Sequence, residues 1–234
     1  ERIDRNSKHV VLDNGQSIGY SKLVLAVGSK PRILPLPGAD LEGVFYLRSA
    51  DDVDRIRDAT VTGKRAVVIG GGYIGLETAA SLRMLGIEVT VLEAMSRILQ
   101  RITCEAISDF FTRIHREEGV DIRIGAQANA ILGANAVTGV ELSTGEVIDA
   151  DFVIIGIGVI PNTELAENAD LVVGNGIEVN EFAQTSDPDI YAIGDCASFN
   201  HPQYNRQIRL ESVQNANDQA VVAAKSICGI AEPY

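Results

Sequence analysis

The chain has 234 residues, 46% of them hydrophobic and 22% charged, with 22 Gly, three Cys and no Trp. It is too apolar for a disordered chain, and Cys104, Cys196 and Cys228 are too few and too widely spaced for a disulfide scaffold or a zinc site. The net charge of −12 argues against a nucleic-acid groove, and the longest apolar run, Phe152 to Ile160, falls far short of the roughly 20 residues of a membrane span. With no signal-peptide pattern, the reduced cytoplasm is the expected compartment.

The first 32 residues carry six Lys/Arg against three acids. This basic strip at the head of an acidic chain reads either as a docking surface or as solvated strand ends. A hairpin turning at Asn14-Gly15 comes first, then a buried strand around Leu23-Val24 and a glycine exit at Gly28. Arg48 follows in Tyr46-Leu-Arg-Ser-Ala-Asp-Asp, where Ser49 reads as the N-cap of a helix beginning near Ala50. Arg48 itself is either a surface residue at a helix start or a ligand contact.

The next segment is a complete βαβ unit. Arg65–Ile69 is a buried strand, and Gly70-Gly-Gly-Tyr-Ile-Gly-Leu-Glu77 is a glycine turn. A helix over 78–85 has Leu76, Ala79, Ala80 and Leu82 on its inner face. Gly86 stops it, and Glu88–Glu93 is the second parallel strand. Gly70-x-Gly72-x-x-Gly75 in this setting is a dinucleotide fingerprint. The first glycine makes the turn, the second lets backbone N–H groups approach a pyrophosphate, and the third lets helix pack on strand. Glu93, 18 residues past Gly75, is placed to accept both ribose hydroxyls and to repel a 2′-phosphate, which favours NAD over NADP. Arg97 dissents, because a nearby guanidinium could neutralise that phosphate.

Val140–Pro161 then repeats Val10–Pro31 at an ungapped shift of 130. Gly145 matches Gly15, Ile148 matches Ile18, Gly158 matches Gly28 and Pro161 matches Pro31. Gly156-Ile-Gly158 lacks the third glycine and the helix of a pyrophosphate loop. It reads as strand ends passing close beneath a ligand or another backbone, or as plain strand termination. A strand at Ile190–Ile193 runs into Gly194-Asp195, whose carboxylate suits sugar or ribityl hydroxyls and equally a helix cap. A last helix spans 211–224, with Val213, Ala216, Ala220 and Ala223/Ala224 inward and Asn215, Asn217 and Asp218 on its polar side. His9, His115 and His201 have no partner motif, and no Ser-His-Asp or Cys-His arrangement is visible.

Leu23-Val-Leu-Ala-Val-Gly-Ser-Lys-Pro-Arg32, the Gly70–Glu77 loop, Gly156-Ile-Gly-Val-Ile-Pro-Asn162 and Thr185-Ser-Asp-Pro with Gly194-Asp195-Cys-Ala occur in this order in FAD-dependent pyridine nucleotide-disulfide oxidoreductases. Glu211-Ser-Val-Gln-Asn-Ala-Asn-Asp-Gln-Ala220 resembles their ferredoxin reductase branch, of the putidaredoxin and rubredoxin reductase kind. The resemblance implies an α/β fold with two Rossmann-like dinucleotide-binding domains, each a parallel sheet with an antiparallel β-meander in three layers. The first would be truncated, with 1–33 and 153–234 a remnant of the FAD-binding domain and 34–152 the NAD-binding domain. The upstream counterpart of the Gly70 unit and a C-terminal interface domain are not in this chain, so it is expected to be a central piece that binds NAD(H) but holds FAD weakly.

By the same resemblance, Gly70, Gly72, Tyr73, Ile74, Gly75, Glu93 and Arg97 would line the NAD site, and Glu77 would orient the nicotinamide. Gly156 and Gly158 would pass between nicotinamide and flavin. Asp195 would take the ribityl chain, Val213 would face the flavin ring edge, and Arg48 would contact FAD. Val27 stands where the family has a Thr. The implied activity is hydride transfer from NADH to FAD, then single-electron delivery to a [2Fe-2S] ferredoxin or a rubredoxin-type carrier. No catalytic side chain, no metal and no nucleic acid is expected. The same fold also supports an NADH oxidase or coenzyme-A-disulfide reductase, or an NADH-sensing binding protein of the apoptosis-inducing-factor kind.

Overall fold

The computed structural model describes residues 1–234, apart from the side chain of Thr62. The chain begins with β1 (Arg2–Asp4), β2 (His9–Val11), β3 (Ser17–Gly19), β4 (Leu23–Leu25) and β5 (Ser29–Pro31). Next come β6 (Val44–Tyr46), α1 (Ala50–Thr62), β7 (Arg65–Ile69), α2 (Tyr73–Met84), β8 (Glu88–Glu93), α3 (Glu105–Glu117) and β9 (Asp121–Ile124). These are followed by β10 (Ala128–Gly133), β11 (Val137–Leu142), β12 (Val147–Asp149), β13 (Phe152–Ile155) and β14 (Val159–Pro161). The last part holds α4 (Glu164–Glu167), β15 (Val173–Gly174), β16 (Gly176–Val179), β17 (Ile190–Ala192), a 3-10 turn at Gly194–Cys196, β18 (Ala197–His201), β19 (Arg206–Ile208) and α5 (Val213–Ile227).

The chain forms two compact units, one of residues 1–30 with 160–234 and one of residues 31–159. The boundaries expected at 33/34 and 152/153 therefore fall at 30/31 and 159/160. The second difference has a clear cause. β13 is an inner strand of a parallel sheet ordered β6-β13-β7-β8-β9, paired with β6 on one side and β7 on the other, and its four residues are at most 2% exposed. It belongs with the dinucleotide fingerprint.

In the 31–159 unit, strands such as Arg65-Ala-Val-Val-Ile69 and Phe152-Val-Ile-Ile155 are continuous apolar runs because both faces of the sheet are covered. One face packs on the helices through Ile56 of α1, Leu76, Ala79 and Leu82 of α2, and Val68, Val91 and Ile154 of the sheet. The other face, with Val67, Val153 and Ile155, packs on the antiparallel meander β10-β11-β12 through Ile131, Val140 and Ile148. This is the expected three-layer arrangement. Each fully buried Val or Ile stabilises it by about 1.5–3 kcal/mol.

α2 ends where Gly86 (φ +80°) permits a left-handed turn. Gly86 N donates to Arg83 O, and Ile87 N to Leu82 O, with Ile87 and Leu82 buried in one cluster. The helix begins at Tyr73, five residues before the expected start, because the glycine loop feeds straight into it. Ala80 is exposed, not inward, and Thr78 takes the buried place through Oγ1, which donates to Ile74 O at 2.6 Å.

In the other unit, β1-β2-β3 is an antiparallel sheet, β4 and β17 form a parallel pair, and β15-β16-β18-β19 is a four-stranded sheet. Ile3, Leu25, Ile177, Ile190 and Phe199 make its core. The basic strip is largely neutralised here. Arg5 pairs with Asp187, Lys8 and Lys22 both pair with Asp189, and Lys30 pairs with Glu164. The two lysines hold the Asp189 carboxyl down at about 2. This favours solvated strand ends over a docking surface.

The 130-residue repeat extends to individual hydrogen bonds. Val10 faces Ile18 as Val140 faces Ile148. Leu12 N donates to Gln16 O and Leu142 N to Glu146 O, each at 2.8 Å. At the exits, Arg32 N donates to Gly158 O at 2.9 Å, while Asn162 N donates to Gly28 O at 3.0 Å. The two copies thus exchange the same bond in opposite senses.

Candidate functional site

The turn between β7 and α2 is built by close backbone approach. Gly70 has φ +116°, and a Cβ on it would lie 2.3 Å from Gly156 O. A Cβ on Gly75 would lie 2.0 Å from Gly70 O, so that position brings helix and strand together. Gly72 differs: a Cβ there meets nothing within 4 Å. It caps α2 without a side-chain bond, and the first helical turn holds no acid, a combination suited to an anion at the helix start. The three glycines therefore do three different jobs, and Gly156 is the backbone that the first of them passes.

Glu93 closes the site from the end of β8. Its Oε2 accepts from Gly71 N and its Oε1 from Met95 N, each at 2.8 Å. Both oxygens are thereby fixed in orientation, with lone pairs remaining for further donors. Arg97 is turned into its own loop. Nη1 donates to Ser108 Oγ at 2.6 Å and Nη2 to Gln100 O at 3.2 Å. Ser108 is fully buried, with its hydroxyl donating to Ile98 O. Tyr73 and Ile74 in the first turn of α2 are exposed, as is Glu77 one turn on. Gly158 (φ +99°) is exposed with no atom within 4 Å of a Cβ, so its backbone angle is what requires glycine. Arg48 is exposed, and its N–H donates to Asp52 Oδ2 at 3.0 Å. Ser49 and Asp52 complete a capping box at the start of α1, as expected for Ser49.

Asp195 and Val213 lie in the other unit. Gly194 turns the chain with φ +73°, leaving Asp195 half-buried in a 3-10 turn. Ser29 Oγ donates to Asp195 Oδ2 at 2.9 Å, and Arg209 Nη1 donates to the Asp195 carbonyl at 3.1 Å. Val213, at the first position of α5, is 79% exposed. It does not belong to the buried face expected for this helix. That face is Asn215, Gln219, Val222 and Ala223, because the two amides are hydrogen-bonded inside while Val213 sits at the open end. Reading Asn215 as the solvent side missed this. The signal was present in the spacing of 215, 219, 222 and 223, one helical stripe.

Cys104 and Cys228 are exposed and Cys196 is buried; all three are free. Burial pushes the Cys196 thiol up. Among the described residues no group of three His, Cys, Asp or Glu could hold a metal ion, and no helix is long and apolar enough to cross a membrane.

The family model for pyridine nucleotide-disulphide oxidoreductases matches residues 1–220. The chain is 44% identical over its whole length to rhodocoxin reductase of Rhodococcus erythropolis, covering 55% of that protein. It is 45% identical to putidaredoxin reductase of Pseudomonas putida, over 97% of this chain and 55% of the relative. The structure of a ferredoxin reductase from Rhodopseudomonas palustris superposes with a TM-score of 0.97 at 42% identity, over all of this chain and 58% of that one. The chain thus spans about half the length of the curated relatives it matches. A glycine turn in which Gly70 and Gly75 make close backbone approaches, a parallel sheet with a meander, and a family match across nearly the whole sequence lead to one assignment. The chain belongs to the pyridine nucleotide-disulphide oxidoreductase family.

Proposed function

We propose that this chain supplies the NADH site and part of the flavin site of an FAD-containing reductase that passes electrons to a small iron–sulfur carrier of the ferredoxin or rubredoxin type. The observation that carries the reading is the Gly70–Gly75 turn closed by Glu93. The open space at Gly72 admits a pyrophosphate, and the first turn of α2 stabilises its charge. The free lone pairs of Glu93 accept ribose hydroxyls and repel a 2′-phosphate. With both Arg97 amino groups engaged by Ser108 and Gln100, the balance favours NADH. Glu77 orients the nicotinamide, and Gly156 and Gly158 keep the backbone thin beside it.

The other unit fits a flavin by its donor set. Asp195 offers a carboxylate to ribityl hydroxyls, and the first turn of α5 has no acid and presents Val213 to a ring edge. FAD, when bound, supplies hydride acceptance from NADH and one-electron delivery. The carrier assignment is supported by relatives whose names, rhodocoxin and putidaredoxin reductase, state what they reduce. Three unpaired cysteines suit a cytoplasmic setting.

The test is the absorption spectrum of the full-length protein before and after anaerobic NADH. Flavin bands at about 380 and 450 nm that bleach on addition are the expected result. A colourless protein that still binds NADH would overturn the reductase reading and leave a dinucleotide-binding module. Cytochrome c reduction that depends on added ferredoxin then tests the carrier.

A further inference from the structure

α5 buries amides where an apolar stripe would have served the fold. Gln219 is 1% and Asn215 2% exposed. Gln219 Oε1 accepts from the Gly194 N–H at 2.7 Å and from Asn215 Nδ2 at 3.4 Å. Asn215 Nδ2 also donates to Leu210 O at 3.1 Å, and Asn215 Oδ1 accepts from the Tyr234 hydroxyl at 2.8 Å. The turn rests directly on the helix, since a Cβ on Gly194 would lie 3.5 Å from that of Ala216. Burying an amide costs free energy that hydrogen bonds only offset, so its use is to fix position rather than to add stability.

We infer that Gln219 is a positioning residue of the flavin site: its side-chain carbonyl ties the Gly194–Cys196 turn to α5 and so fixes the spacing between the Asp195 carboxylate and the α5 N-terminus. The inference rests on the flavin reading above. One ligand must meet both groups, a ribityl hydroxyl at the carboxylate and a ring edge at the helix end. Without the tie the Gly194 N–H is buried with no acceptor, the turn moves to satisfy it, and the two anchors no longer match that ligand. Ser29 and Arg209 hold the Asp195 carboxylate and carbonyl, but neither links the turn to α5.

The experiment compares Gln219→Met, Gln219→Glu and Val222→Ala in the full-length protein. Val222 is buried on the same helix, three residues beyond Gln219, and has no polar group to bond the turn, so its truncation reports lost packing alone. FAD affinity is read from quenching of flavin fluorescence, and the ring environment from the flavin absorption maximum. The expected result is a loss of at least tenfold in FAD affinity and a shifted maximum for Gln219→Met. Gln219→Glu keeps an acceptor in either protonation state and recovers most of the affinity. Val222→Ala lowers the melting temperature with FAD affinity within twofold of the parent. Gln219→Met within twofold of the parent, or Val222→Ala weakening FAD as much, overturns the inference. A parent protein that binds no FAD overturns the flavin reading itself. Hydrogen exchange at the Gly194 amide then decides the tie separately: faster exchange in Gln219→Met upholds it and unchanged exchange refutes it.

Discussion

Gly72 and Gly75 are three residues apart in one loop, yet substitution to Ala should separate binding from folding. Gly72 has φ −83° and open space where a Cβ would go. Gly72→Ala therefore costs at most about 1 kcal/mol, as a poorer helix cap. Its methyl, however, occupies the approach of the pyrophosphate, so calorimetric titration should show NADH affinity falling tenfold or more with little change in melting temperature. Gly75→Ala drives a methyl against Gly70 O and should destabilise by about 1–3 kcal/mol. Equal melting temperatures for the two variants would contradict this division of roles. Glu93→Gln offers its amide nitrogen to a backbone N–H of Gly71 or Met95 and loses the charge facing the ribose. NADH binding should weaken about tenfold, or about 1.4 kcal/mol, while NADPH weakens less. The close backbone approaches at Gly70 and Gly75 were legible in the sequence because each glycine answers to a fixed spacing. Gln219 was not, because whether an amide faces solvent or core depends on which residue its oxygen meets.

Among the elements, α1 shows how a cap can be tested through pH. Ser49 Oγ accepts from Asp52 N, and Asp52 Oδ2 accepts from Ser49 N at 2.8 Å. The Ser49 backbone N–H, with lesser help from its hydroxyl and from Arg55, holds the Asp52 carboxyl at about 2 against an ordinary 3.8. A depressed carboxyl gives stability that is fully present above its unfolded value and is lost as pH falls through the folded one. The cap should thus hold above about pH 4 and fail between about pH 4 and 2. Ser49→Ala, which keeps the backbone N–H, should cost about 1 kcal/mol at neutral pH, whereas Asp52→Asn, which removes the titrating group, should flatten the acid limb of a urea-melt series in that window. An unchanged acid limb would show that Asp52 is not held this way. The two hairpins, the βαβ unit and α1 were readable, since their strands carry apolar runs and their helices have glycine or serine limits, whereas α3, which starts after Cys104 without a side-chain cap, and the short strands β15, β16, β18 and β19 were not. Boundaries were less so. α2 starts inside the glycine loop because Gly72 caps it with backbone alone, which leaves no polar side chain to mark the start.

For the whole molecule, two cores in two units predict two responses. On the function proposed above, the residues that would hold NADH lie in the 31–159 unit, so NADH should raise the calorimetric transition of that unit and leave the other in place. At a hundred times its dissociation constant the gain is about 2.7 kcal/mol. Uniform stabilisation of both would show that the units do not unfold separately. The division itself was visible from the repeat, but its second boundary was misplaced. The repeat sets β13 against β4 of the other unit, while its hydrogen bonds put it between β6 and β7.

The reciprocal exits have a practical meaning. Arg32 N and Gly158 O are 2.9 Å apart, so the 31–159 unit begins and ends at the same point of its own surface. A segment built this way is a cassette: cut at 31 and 159, it can be spliced into a tight turn of a foreign host without prising the host strands apart, or its ends can be joined and new ones opened elsewhere. The bond that closes each crossing is also what would let the module travel.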